Sequence, residues 1–117
     1  MSSKLLFVHL FHIIFVGALF LYVGIERTNI PKILFPLLLL LGIMVIMLHA
    51  YKLYNNIINK TYTTDWVHYI HILLVGPLLM IIGYNGISTS RRYFELLIMA
   101  GMASIGYHGY YVIKNAL

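Results

Sequence analysis

The sequence predicts an all-α integral membrane protein: a four-transmembrane-helix bundle made of two tandem helical hairpins, related by a pseudo-two-fold axis along the membrane normal. Three observations carry that expectation. The chain is 62% apolar and only 9% charged over 117 residues, too little polar surface to clothe a soluble domain of this size. Its apolar residues fall into four runs of about twenty residues or more, each long enough to cross a hydrocarbon core of about 30 Å at about 1.5 Å per residue. Finally, the first half is written again in the second.

The repeat is clearest in Val8-His9-Leu10-Phe11-His12-Ile13-Ile14-Phe15-Val16-Gly17, which returns 59 residues later as Val67-His68-Tyr69-Ile70-His71-Ile72-Leu73-Leu74-Val75-Gly76. Without a gap, the same offset matches Gly24 with Gly83, Phe35 with Phe94, Leu38 with Leu97, Gly42 with Gly101, Ile46 with Ile105, His49 with His108 and Asn56 with Asn115. Residues 1–58 form the first helical hairpin and residues 59–117 the second, together one membrane domain. A two-helix repeat enters from the same side twice, so the copies are parallel rather than inverted.

Taken in order, the first helix is expected from about Lys4 to Ile25, closed by the polar turn Glu26-Arg27-Thr28-Asn29. Its apolar stretch from Leu5 exceeds the core of a cleaved leader and lacks a small-residue cleavage site, so it reads as a span. The second helix starts near Pro31, which suits a first helical position, and runs to about Asn56. The polar connector Asn59–Thr64 follows, with Thr64 or Asp65 as cap of a third helix ending near Gly83. Pro77, where the first copy has Ala18, predicts a mild kink. Asn85-Gly86 and Ser88-Thr89-Ser90 supply a turn and cap before the fourth helix, which ends near Asn115.

Helical projection at about 100° per residue puts Phe35, Leu38, Gly42, His49 and Asn56 on one face, and their partners Phe94, Gly101, His108 and Asn115 on the matching face. Val8, His9, His12, Ile13, Val16, Gly17 and Gly24 span about half the first helix. Glycines on such faces permit close helix approach. Phe11, Ile14, Phe15 and Phe20 differ between copies and read as lipid-facing.

All six histidines fall in matched pairs. With four spans, His9, His12, His49, His68, His71 and His108 all lie in one leaflet, one to three turns below its surface. Ionisable side chains within a membrane usually face the protein interior and mark function. Neutral imidazole is a ligand for iron, copper and zinc, and His-x-x-His places two rings on one side of a helix. The first expectation is a His-ligated cofactor, haem b or a similar tetrapyrrole, for electron transfer or cofactor handling. Axial ligands would come as His12 with His71, His9 with His68, or His49 with His108. Lys4, Lys52, Lys60 and Lys114 stand at that surface, either to meet propionates or simply to snorkel. A second expectation is a mono- or dinuclear copper, iron or zinc site built on the same six histidines. A third is a structural membrane subunit with the histidines as polar seams. Proton relay ranks below these, because the other leaflet offers few polar stations beyond Ser104 and Tyr22.

Several classes are excluded. No cysteine is present, so disulfide frameworks and thiolate sites are ruled out. The acids Glu26, Asp65 and Glu95 are too few and too dispersed for a carboxylate-bridged di-iron centre. Phosphate-binding glycine loops, His-Glu-x-x-His and serine nucleophile motifs are missing, as is the basic and aromatic patch that nucleic acid requires. The net charge of +5 suits anionic headgroups. The expected partners are the lipid bilayer and, on the outer helix faces, further membrane subunits or a second copy. Both termini share one side, and four basic residues flank each side, so the positive-inside rule assigns no orientation.

Overall fold

The computed structural model describes residues 1–61 and 65–117. It is 90% helical, with no strand among the described residues. Four helices account for this: α1 Ser3–Asn29, α2 Leu34–Asn59, α3 Asp65–Ser88 and α4 Arg91–Ala116. At 24 to 27 residues each, all four are long and apolar enough to cross a membrane.

Helix ends follow local chemistry. Ser2 caps α1, its hydroxyl accepting the Leu5 N–H at 3.1 Å. α2 begins at Leu34, three residues beyond the expected Pro31, because the Pro31 carbonyl is spent in a turn that accepts the Leu34 N–H at 2.9 Å. Pro36 thereby falls in the first turn, where its missing N–H costs nothing. Lys60 ends α2 in the left-handed region at φ 56°, ψ 40°, and the Thr61 N–H returns to the Asn56 carbonyl at 2.9 Å, a Schellman-type closure. Asn56 also donates through Nδ2 to Asp65 Oδ1 at 3.1 Å, tying the end of α2 to the start of α3. Thr64, the alternative cap, lies outside the described residues; Asp65 is the first helical one.

The chain forms two compact units, residues 30–89 and residues 1–29 with 90–117. The first contains α2 and α3, the second α1 and α4. Each unit therefore takes one helix from each copy of the repeat. Within the α1–α4 unit, Gly17 abuts Ile105, and Gly24 abuts Ile98 and the Phe94 carbonyl. Numbers rise on one helix as they fall on the other, so the pair is antiparallel. The α3–α2 unit reproduces this at the 59-residue offset, with Gly76 against Ile46, and Gly83 against Leu39 and the Phe35 carbonyl. The buried side chains match as well: Phe20 with Leu79, Val23 with Ile82, Phe35 with Phe94, and Leu38 with Leu97. In each unit this apolar zone occupies the end where α2 or α4 begins. Asn115 is exposed, so the expected seam on α4 stops short of it.

One expectation is corrected. Phe20 is not lipid-facing: it is 3% exposed and its Cβ would lie 3.0 Å from a Cβ at Gly101. The second copy keeps an apolar side chain there, Leu79, so the difference between copies is one of size at a shared core position. Phe11, Ile14 and Phe15 are exposed as expected. Near the expected kink at Pro77, the irregularity in α3 is a π-turn shared by both copies. Residues His71–Val75 form a π-helical turn, and so do His12–Val16, where the following helix contains Ala18 instead. The π-turn is thus a property of the repeat, and Pro77 merely sits at the second position of the restarted α-helix.

That turn has a geometric consequence. On an uninterrupted helix Gly17 lies about 140° round from His12. The i−5 bonds from the Gly17 N–H to the His12 carbonyl, and from the Gly76 N–H to the His71 carbonyl, insert one residue and remove about 100° of that offset. Histidine and glycine positions that were spread over half a helix therefore converge on the one partner helix.

α1 leaves its last α-helical turn through Arg27 at φ 55°, ψ −123°, and α3 does so through the matched Gly86 at φ 56°, ψ −127°. Only glycine adopts this conformation without a Cβ clash. Arg27→Gly should therefore raise stability by about 1 kcal/mol, read as the unfolding midpoint in detergent. Arg27→Ala keeps the Cβ and should give no such gain. At Gly83, an added Cβ would stand 2.6 Å from the Phe35 carbonyl oxygen, backbone that cannot step aside. Gly83→Ala should cost about 1–3 kcal/mol or more. Gly106, with nothing within 4 Å of an added Cβ, should instead gain up to about 1 kcal/mol on the same change.

Candidate functional site: two three-histidine clusters

The antiparallel pairing carries His9 and His12, near the start of α1, alongside His108, near the end of α4. It carries His68 and His71 alongside His49 in the same way. The six predicted histidines are thus brought together as two sets of three, each inside one unit and at the end opposite its glycine-sealed apolar zone. His9, His68 and His108 are 7%, 8% and 7% exposed, while His12, His49 and His71 are half-buried.

The geometry is the same in both sets. His9 Nδ1 lies 2.8 Å from His108 Nδ1, and His68 Nδ1 lies 2.9 Å from His49 Nδ1. The third ring stacks on the one from the partner helix: His12 on His108 with centroids 4.3 Å apart, and His71 on His49 at 3.9 Å. His12 Nδ1 and His71 Nδ1 each lie 2.7 Å from the carbonyl four residues back, Val8 and Val67 respectively.

These contacts constrain the protons. A carbonyl can only accept, so the Nδ1 of His12 and of His71 carries hydrogen and donates it. The neutral ring then has its lone pair on Nε2. Between two facing Nδ1 atoms there is room for one hydrogen, so one ring of each dyad donates and the other accepts. Every fully buried side-chain polar atom among the described residues has a hydrogen-bond partner, as burial requires.

The same distances weigh on metal chemistry. Two imidazole nitrogens on one tetrahedral metal, at about 2.0–2.1 Å from it, stand about 3.3 Å apart. The dyads, at 2.8 and 2.9 Å, are spaced for a hydrogen bond. Among the described residues no group of three or more histidine, aspartate or glutamate side chains is arranged to hold one metal ion.

The surroundings of the two sets differ. Tyr111 stacks parallel to His9, with centroids 5.7 Å apart and planes 8° from parallel, and Tyr107 meets His108 edge-on at 5.0 Å. The Ser104 hydroxyl donates to the His12 carbonyl at 3.3 Å, reinforcing the π-turn. In the other unit these positions are Lys52, Leu48 and Val45. The helical spacings from His108 place Tyr111 and Ser104 on its face, so this neighbourhood was open to sequence reasoning, which had valued Ser104 only as a proton station. Of the four surface lysines, Lys114 lies over the Tyr110 ring at 5.9 Å and Lys60 forms the α2 cap; Lys4 and Lys52 are exposed.

No protein-family model, curated protein or solved structure matches this chain, so the functional reading rests on the geometry.

Removing one ring of a dyad leaves a buried nitrogen without its partner. His9→Leu should cost about 1–3 kcal/mol of unfolding free energy in detergent. The double variant His9→Leu/His108→Leu should cost clearly less than the sum of the two single changes. Strict additivity in that double-mutant cycle would mean the two rings do not interact.

Proposed function

We propose that the protein is an integral membrane protein of four spans that holds a His-ligated cofactor, haem b or a similar tetrapyrrole, for electron transfer or cofactor handling. In this reading both termini share one side, all six histidines lie in one leaflet, and the copies are related by a pseudo-two-fold axis along the membrane normal. The observation that carries the reading is the matched Nδ1–H bond from His12 to the Val8 carbonyl and from His71 to the Val67 carbonyl. A backbone acceptor on Nδ1 fixes the tautomer, orients the ring and leaves Nε2 as the nitrogen with the lone pair, the usual support of a metal-bound histidine. Of the six histidines, this favours His12 and His71, each as the ligand within its own unit. The Nδ1 atoms of His9, His108, His49 and His68 are instead engaged with each other within the dyads.

A tetrapyrrole asks the protein for one axial nitrogen on a face, whereas a bare copper, iron or zinc ion asks for three or four converging donors. The stacked rings supply the former need better than the latter. When bound, the cofactor supplies one-electron redox chemistry. His12 and His71 would each hold such a group in its own unit, with the Val8 and Val67 carbonyls fixing the ring angle and His108 and His49 stacked on the ligand rings. The His9–His108 and His49–His68 hydrogen bonds also favour a second reading, a structural membrane subunit in which these bonds glue the helix pairs.

An absorption spectrum of the detergent-purified protein, oxidised and then reduced, with iron analysis beside it, separates the two. We expect a Soret band with sharpened reduced visible bands. His12→Ala and His71→Ala should each lose about half of the bound cofactor, and the double variant all of it. Protein without iron and without a Soret band, purified under mild extraction, would overturn the cofactor reading in favour of the structural one.

A further inference from the structure

The unit of residues 30–89 is one continuous segment, whereas the unit of residues 1–29 and 90–117 is assembled from the two ends of the chain. The contacts that close the second unit run between α1 and α4: Gly17 on Ile105, Gly24 on Phe94 and Ile98, Gly101 on Phe20, and the His9–His108 bond. The α4 of any other copy presents the same surface to α1. We propose that two copies of this chain exchange α1, forming a closed two-fold dimer. In it, His9 and His12 of one copy complete a cluster with His108 of the other.

Features of the link after α1 single it out as the exchanged helix. Arg27 is held at φ 55°, a conformation strained for any residue with a Cβ, and release of α1 relieves it. Short links under strain favour exchange over closure. The matched link after α3 uses Gly86 in the same conformation without strain. There the Thr89 hydroxyl is bonded to the Gly86 carbonyl at 2.7 Å and to the Ile82 carbonyl at 3.3 Å, fastening it shut. Ile30 is buried and belongs to the continuous unit, so the moving part ends at Asn29. Pro31 disfavours helical backbone at Ile30. A released link is therefore extended and does not fuse α1 and α2 into one rod, which lets α1 reach a second copy.

The native absence of cysteine makes the test direct. Phe20→Cys with Gly101→Cys, in the whole 117-residue chain, places two thiols across the α1–α4 contact, where Cβ to Cβ is 3.0 Å, slightly shorter than the disulfide range of about 3.5–4.5 Å. The pair is joined by oxidation or by a short bifunctional maleimide, and products are separated on a denaturing, non-reducing gel. Exchange predicts a covalent dimer. Gly42→Cys with Met80→Cys, inside the continuous unit, should give only an internally linked monomer. Adding Arg27→Gly to the first pair should lower its dimer-to-monomer ratio about tenfold by removing the strain. Internally linked monomer alone at every protein-to-detergent ratio, or no α1–α4 linkage of any kind, overturns the proposal. The readout involves no cofactor, so it stands or falls separately from the spectrum.

Discussion

Close approach of two antiparallel helices at glycine is the constraint on which the rest depends. At Gly24 and Gly83 the facing surface is the backbone of the partner helix, at the Phe94 and Phe35 carbonyls, so the separation there cannot widen without abandoning the contact. Gly17 and Gly76 admit Ile105 and Ile46 further along, at the threshold of the histidines. Two rigid helices pinned this closely at one end leave little freedom at the other. The imidazoles of His9 and His108, like those of His68 and His49, meet at hydrogen-bond distance because the backbones behind them are already held. In a lipid environment, where apolar surface gains nothing by leaving the solvent, such packing and the polar bonds it permits are the available sources of association.

The π-turn makes the two ends compatible. A regular α-helix would bring either the glycines or the histidines to the partner, because five residues separate His12 from Gly17 and leave them on different faces. One inserted residue corrects the phase. The carbonyl involved belongs to the histidine itself, and in the α1–α4 unit the Ser104 hydroxyl reinforces it. The irregular backbone and the ligand candidate are therefore one local structure, with the ring of His12 anchored to Val8 on one side and the carbonyl of His12 carrying the π-turn on the other. Helix irregularities of this kind are over-represented at functional sites.

Much of this was legible in the residues. The 59-residue offset identified the paired positions, the glycine faces and the grouping of histidines toward one end of each helix, because each is a matter of spacing and spacing survives without coordinates. The partners of each helix were not legible. Hairpin order favours sequential neighbours, but a duplicated hairpin offers every first-type helix two equivalent second-type partners, and α1 takes α4 instead of α2 by packing that no pattern encodes. The π-turn escaped for a related reason: a uniform 100° projection has no term for an inserted residue, and only the unusual width of the α1 face hinted at one. Phe20 was misplaced because variation between copies was read as exposure, when Leu79 shows a core position refilled with a smaller side chain.

Comparison of the copies also separates scaffold from environment. The helix-sealing glycines, the buried Phe35/Phe94 and Leu38/Leu97, and all three histidines are identical at the offset, and the contacts among the histidine rings match closely. What differs lies one layer out: Tyr111 where the other unit has Lys52, Tyr107 where it has Leu48, Ser104 where it has Val45. A stacked phenol beside His9 and a lysine at the matching place are electrostatically unlike neighbours for the same imidazole geometry. The inner geometry is the same in both units because matching glycine contacts hold it, while the charge beside it differs.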